Sequence, residues 1–309
     1  HLTLEREPAA AIAARAGLPL PEVEPRLSEM AHKGLIFIVQ PAGGPPLYQA
    51  APFAVGIWEW QVNDLTDEFR RAVSAYWSST VQRPGVETIP QMRTVPVGQS
   101  VEAQHEVFPY ERIDDLIAAQ DRFAVGPCIC RREARLDGRG CAAPEESCLA
   151  FGDWADYVVR TGRGRAIDRA EVLAILARAD KANLVLQPSN SQSIAFLCCC
   201  CGCCCGVLQG LKRQPRPADA VANAFRADLD PARCQGCMTC LERCQMEALA
   251  AAEGHVTLDS ARCIGCGLCV TTCPGGALTL VRKPGHGRPV PESMEATWRI
   301  ISEAQAHGR

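Results

Sequence analysis

Apolar positions recur at helical spacing from Pro8 to Ala16 and again from Pro21 to Lys33, where Val23, Leu27 and Met30 share one face. Gly17 and Gly34 stand after these stretches as stops. Two short β-branched and aromatic runs follow, Leu35 to Val39 and Leu47 to Ala50, and the turn Pro41-Ala42-Gly43-Gly44-Pro45-Pro46 between them predicts a hairpin. The stretch Ala51 to Trp60 is apolar and aromatic, the composition of a core joining two units, or of a partner contact. Thr66 to Gln82 predicts a helix with Phe69, Val73, Tyr76 and Trp77 on one side. Ile89 to Val101 reads as extended chain broken by Pro90 and Pro96. Tyr110 to Gln120 predicts a short helix that buries Ile113, Leu116 and Ile117. Asp168 to Ala182 is an amphipathic helix in pattern, Leu184 to Gln187 a strand, Pro188 to Ser191 a polar turn, and Ile194 to Leu197 a short apolar run. A closing helix from Pro291 to Ala306 carries Met294, Trp298, Ile300 and Ile301; packing back onto a domain and docking to a partner subunit both fit it.

Helix, turn, helix and hairpin in this order resemble a winged helix. DNA binding is the sharp implication, and the sequence argues against it. A reading helix should present Arg or Lys to phosphates and base edges. The second helix carries Glu22, Glu24 and Glu29 against Arg26 and Lys33, and the wing has no basic residue. Winged helices also serve as protein-docking modules. The fold class expected is α+β, in four parts. A winged-helix-like domain covers 1–60, and an α-rich, cysteine-containing middle domain covers 61–215. A C-terminal domain covers 226–281, and a tail covers 282–309.

Composition narrows the class. At 309 residues, with 47% hydrophobic and 22% charged residues, the chain has room for two or three globular domains. A net charge of −3 selects neither nucleic acid nor membrane. No apolar run reaches the length of a membrane span, and His1-Leu2-Thr3-Leu4-Glu5 shows no charged-then-apolar leader. All 19 cysteines lie between Cys128 and Cys273. Thiolates on metal in a reducing cytoplasm explain that number better than disulfides.

Eight of these cysteines form two copies of one spacing. The first is Cys234-x2-Cys237-x2-Cys240-x3-Cys244; the second is Cys263-x2-Cys266-x2-Cys269-x3-Cys273-Pro274. Two-residue gaps let a tight loop wrap three thiolates around a cubane iron–sulfur cluster, while the fourth cysteine serves the other cluster. Cys234, Cys237, Cys240 and Cys273 are therefore expected on one [4Fe-4S] cluster, and Cys263, Cys266, Cys269 and Cys244 on the other. Zinc usually takes two separated CxxC knuckles and has no need of a crossed ligand. Gly236, Gly265 and Gly267 suit backbone that wraps a cluster closely. The region from Asp228 to Val281 resembles the bacterial two-cluster ferredoxins, and the resemblance implies a two-cluster ferredoxin domain of βαβ-βαβ form over 226–281. One departure stands out: Gln245 follows Cys244, where the pattern usually has proline, as at Cys273-Pro274.

The other eleven cysteines lie upstream. Cys128, Cys130, Cys141 and Cys148 fall in an arginine-rich segment with Arg131, Arg132, Arg135 and Arg139, whose charge would offset a thiolate-bound cluster. Cys198 to Cys205 is cysteine at every position but Gly202. Adjacent side chains diverge, so only a subset of this run can face one site. Cys198, Cys200, Cys201 and Cys204 are taken as ligands with the four upstream cysteines. One or more further iron–sulfur clusters are expected there, with zinc as the alternative.

Across nearly its full length the chain is similar to a family of ferredoxin-type iron–sulfur binding proteins from anaerobic bacteria. The resemblance rests on Gly126-Pro127-Cys128-Ile129-Cys130-Arg131, on Leu186-Gln187-Pro188-Ser189-Asn190 leading into the cysteine run, and on the paired motifs. It implies bound clusters and says little of a substrate. The leading reading is an electron-transfer protein or oxidoreductase subunit that works with a redox partner protein. The alternatives are an iron–sulfur redox sensor reading DNA and an enzyme whose middle cluster keeps an open position. No acid–base pair stands out, since His105, His255 and His286 are scattered and His32 sits on a predicted solvent face. Gly162-Arg163-Gly164-Arg165 lacks the Walker Lys-Ser/Thr and a complete GxGxxG, and reads as a basic turn.

Overall fold

The structure, a computed structural model, describes residues 1–77, 90–100, 108, 111–283 and 290–307. His105, His286, Tyr110 and the ends of the expected Thr66–Gln82 and Ile89–Val101 segments lie outside these residues. The chain is a mixed α/β structure with small sheets.

Strand β1 (Glu7–Pro8) leads into helix α1 (Ala9–Ala16), which ends where Gly17 turns left-handed at φ 67°. Helix α2 (Leu20–His32) starts after Pro19 and buries Val23, Leu27 and Ala31. Strands β2 (Ile36–Val39) and β3 (Leu47–Ala50) pair antiparallel with Ile38 opposite Tyr48, and β1 joins the far edge of β3. Val23, Leu27 and Ala31 pack with Ile12, Ile36 and Tyr48 as the core of this unit. His32 is exposed, as its face predicts. Helix α3 (Asp67–Tyr76) is capped by the Thr66 side chain.

Helix α4 (Ile113–Ala118) and strand β4 (Phe123–Pro127) open the middle region. It continues through α5 (Ile129–Leu136), β5 (Glu146–Phe151), α6 (Asp153–Arg160) and β6 (Arg165–Ile167). After these come α7 (Arg169–Lys181), β7 (Val185–Pro188) and β8 (Phe196–Cys200), then α8 (Gly206–Lys212) and α9 (Pro217–Ala220). Beside the helices of the expected α-rich middle domain stands a five-stranded sheet that the expectation lacked, in the order β6-β4-β5-β8-β7. Every pairing in that sheet is antiparallel. Strand β7 matches the strand expected at Leu184 to Gln187, whereas β4, β5 and β8 escaped the pattern for a physical reason. The first four residues of β4 are buried on both faces, so polar and apolar positions do not alternate. Strands β5 and β8 contribute cysteines where valine or isoleucine would mark a strand.

The aromatic stretch before α3 is core. Trp60 packs with Phe37 of β2 and with Trp154 and Tyr157 of α6, and the Tyr157 hydroxyl donates to the carbonyls of Ala31 and Ile36 at 3.0 and 3.3 Å. Arg163, in the expected basic turn, is turned inward and donates to the carbonyls of Trp60 and His32. The closing helix, Met294–His307, adds Met294 and Trp298 to the same aromatic core, which decides in favour of packing back.

The C-terminal region runs β9 (Phe225–Leu229), α10 (Thr239–Arg243), β10 (Leu249–Ala252), β11 (His255–Leu258) and β12 (Leu278–Arg282), and α11 (Met294–His307) follows. Outer strands β9 and β12 pair antiparallel, as do inner strands β10 and β11. Between β11 and β12, where a second helix was expected, the chain makes hydrogen-bonded turns.

Candidate metal centres

Two cavities lie in the C-terminal region, and each gathers four cysteines. The first is lined by Cys234, Cys237, Cys240 and Cys273 with Leu229, Met238, Val256 and Leu278. The second is lined by Cys244, Cys263, Cys266 and Cys269 with Met246, Leu249, Leu258 and Leu268. The last cysteine of each motif has thus moved to the other motif's cavity. Antiparallel pairing of the outer strands brings Cys273 back beside the first loop, and α10 carries Cys244 to the second.

The donor set fits a metal–sulfur core. Backbone N–H groups point at the sulfurs: Ala277 donates to Cys273 and Ala248 to Cys244, each at 3.2 Å, and Ala227 to Cys263 at 3.3 Å. The Thr239 N–H and hydroxyl lower the Cys237 thiol. Burial works the other way on the second cavity and pushes Cys266 up to about 12 and Cys269 well up. Four thiolates packed against apolar walls need a cation among them. Loop geometry agrees with close wrapping. At Gly236 (φ 65°) a Cβ would stand 2.6 Å from the carbonyl of Gly254, and at Gly265 (φ 67°) it would strike the Phe225 carbonyl.

The two cavities differ in setting. Cys237 is exposed, so the first cavity meets solvent. On the second, Met246, Ile264 and Leu268 merge with the core of the middle region.

The middle cysteines separate into two groups. Cys141, from the loop after α5, meets Cys201, Cys203 and Cys204, with all four sulfurs within 4.8 Å of one another. The other group is a string of neighbouring thiols, Cys128–Cys130–Cys205–Cys200–Cys198–Cys148. Cys128 and Cys205 stand at the starts of α5 and α8, and Cys148 pairs with Cys198 across β5 and β8. Cys128, Cys130, Cys141 and Cys148 therefore do not share one site, because strand β4 and helix α5 carry the first two away from Cys141. Cys203 and Cys205 join the groups although the sequence did not single them out. Gly202 was the available sign, since a turn there redirects every later side chain. Cys199 faces the opposite side of β8, and burial pushes its thiol up to about 12.

Arg131 stands between the groups with no side-chain exposure. Its guanidinium donates to the carbonyls of Pro144 at 2.9 Å and Cys199 at 2.7 Å, and to the Ser147 hydroxyl. No carboxylate pairs with it among the described residues; the charges that face it are the thiols of Cys128, Cys201 and Cys200. A buried cation without a carboxylate fits surroundings that become anionic.

Several contacts fasten the C-terminal region to the middle one, among them Lys212 Nζ donating to Glu247 at 2.7 Å and Asn183 Nδ2 donating to the Glu242 carbonyl at 3.2 Å. The Gly202 N–H donates to Gln245 Oε1 at 2.6 Å. Arg243, buried next to Cys244, donates to the Asp180 carbonyl, the Asp180 carboxylate and Asn183 Oδ1, each at 2.6 Å, and to the Leu268 carbonyl at 3.0 Å.

One protein family matches the chain, the 4Fe-4S binding domain, over residues 256–279. That span covers Cys263, Cys266, Cys269 and Cys273, so the chain carries an iron–sulfur binding segment. No curated protein and no solved structure matches it. No helix among the described residues is long and apolar enough to cross a membrane.

Proposed function

We propose that the chain is an electron-transfer protein, or the electron-transfer subunit of an oxidoreductase, built around two [4Fe-4S] clusters. The observation that carries this reading is the sorting of eight cysteines into two adjoining cavities of four, Cys234, Cys237, Cys240 and Cys273 in one and Cys244, Cys263, Cys266 and Cys269 in the other. A bound cubane takes up and releases single electrons without making a bond to substrate. The chain's own residues hold the sulfurs, direct N–H groups at them and keep water from the second cavity. In this reading the chain is organised as a winged-helix-like unit over 1–60, a cysteine-rich unit over 61–215, a two-cluster ferredoxin unit over 226–281 and a tail over 282–309.

The two ends of the pair have different tasks. The solvent-facing cavity at Cys237 is where a redox partner protein docks. The inner cavity at Cys244 and Cys266 faces the middle region, where Cys128, Cys130, Cys200 and Cys205, with Cys148 and Cys198 beside them, hold a further cluster. Arg131 supplies its counter-charge. A DNA-reading role gains nothing from helix α2, whose Arg26 is paired with Glu22 at 4.0 Å, as Lys33 just past its end is with Glu29 at 2.6 Å.

The test is iron and acid-labile sulfide on protein purified without oxygen, with Cys273→Ser and Cys244→Ser beside it. Two cubanes alone contribute about eight of each per chain. Cys273→Ser should disturb the cluster of Cys234, Cys237 and Cys240 in the reduced EPR spectrum, and Cys244→Ser the other. Equal damage to one cluster by both substitutions would sink the crossed assignment, and an absence of labile sulfide would sink the electron-carrier reading itself.

A further inference from the structure

We infer that Cys141, Cys201, Cys203 and Cys204 form a separate mononuclear site that binds one divalent ion, zinc or ferrous iron, through four thiolates. It goes beyond the electron-carrier reading, and neither depends on the other.

Size carries the argument. Four sulfurs held tetrahedrally at ~2.3 Å from one ion stand ~3.8 Å apart. The Cys141 sulfur lies 3.8 Å from that of Cys201 and 3.7 Å from that of Cys204, and the sulfurs of Cys203 and Cys204 are 3.7 Å apart. These separations are the edges of a single-ion tetrahedron. In a cubane each thiolate binds a different iron, and the sulfurs are held much farther apart. The eight cysteines of the C-terminal cavities follow that wider pattern: among the described residues they include no three sulfurs as close as those of the Cys141 group.

The backbone is fixed to deliver these ligands. Cys201, Cys203 and Cys204 lie on one turn between β8 and α8, closed by the Cys205 N–H to the Cys201 carbonyl at 3.1 Å. Gln209 Nε2 donates to the Cys203 carbonyl at 2.6 Å, and the Gly202 N–H is held by Gln245. The fourth ligand comes from the loop after α5, whose Glu145 is gripped by Arg132 and Arg135. Four thiolates and a divalent ion leave a net charge of −2, and Arg131 contacts Cys201 to offset it. Cys203 is exposed while Cys201 and Cys204 are buried, so the ion has a way in and, once bound, no open position. A closed site of this kind is a structural clasp. It ties the loop after α5 to the turn that rests on the C-terminal region.

The experiment is total metal against labile sulfide in the full-length chain purified without oxygen, followed by Cys203→Ser and Cys141→Ser. Cubane iron and sulfide are equal in number, so wild type should hold one metal ion per chain beyond its sulfide. Cys203→Ser, at an exposed position, should lose that ion to a competing chelator while sulfide and the remaining iron stay unchanged. Cobalt(II) supplied in its place should give the visible spectrum of a tetrahedral four-thiolate complex in wild type and not in the variant. Loss of iron and sulfide in equal amounts from either variant would mean a cluster at this site and overturn the inference. So would wild-type protein with no metal in excess of sulfide, whatever the variants do.

Discussion

The backbone N–H of Gly202 donates to the side-chain oxygen of Gln245 at 2.6 Å. The first residue lies inside the cysteine run of the middle region. The second directly follows Cys244, where a ferredoxin pattern usually has proline. Proline has no side-chain acceptor, so glutamine at this position makes one of the contacts between the two regions.

Gln245→Pro restores the usual residue and removes the contact. The Gly202 N–H is then orphaned, which should cost about 1–3 kcal/mol. Gly202→Ala should do at least as much, since a Cβ there would stand 2.5 Å from the Gln245 carbonyl. Chemical denaturation should show the loss in both variants, with the cluster of Cys234, Cys237 and Cys240 still assembled. Unchanged stability in Gln245→Pro would mean that the contact joins nothing.

Arg131→Gln removes the only buried cation that faces the middle thiols among the described residues. The cluster proposed at Cys128, Cys130, Cys200 and Cys205 should then be harder to reduce, because the electron added no longer meets that positive charge. A redox titration should show its midpoint potential fall, with Arg131→Lys falling less and the two proposed C-terminal clusters unmoved. A rise, or equal shifts at all clusters, would contradict the placement of Arg131 as counter-ion.

Arg243→Ala strips three donated hydrogen bonds from the seam, to Asp180 at the end of α7 and to Asn183 just after it, and two more inside the C-terminal region, to Leu268 and to Thr271 at 3.2 Å. Asp180 is half exposed, so its ion pair is partly screened. The hydrogen bonds to the charged group remain the larger part, and about 1.5–3 kcal/mol of stability should be lost. Thermal unfolding should separate the C-terminal region from the middle one in this variant, whereas wild type unfolds both together. A single unchanged transition would show that the seam is held elsewhere.

The paired CxxCxxCxxxC motifs were legible as chemistry because ligand spacing within a tight loop is a local property of the chain. Helices α1, α2 and α7 were legible for a similar reason, since their apolar faces recur within a few residues. Strands β4, β5 and β8 were not. β4 is buried without alternation, and the cysteines of β5 and β8 looked like ligands alone, although Cys148 and Cys198 are also a cross-strand pair.

By itself the sequence determined that the chain has thiolates for iron–sulfur clusters, and which spacing sets them. The division of the middle cysteines belonged to the tertiary structure. Cys128 and Cys141 are 13 positions apart and reach different groups, while Cys141 and Cys204 are 63 apart and their sulfurs lie 3.7 Å apart. Spacing along the chain fixes distances only within a turn or a loop. Beyond that, the pairing of β5 with β8 and the turn at Gly202 decide which sulfurs meet.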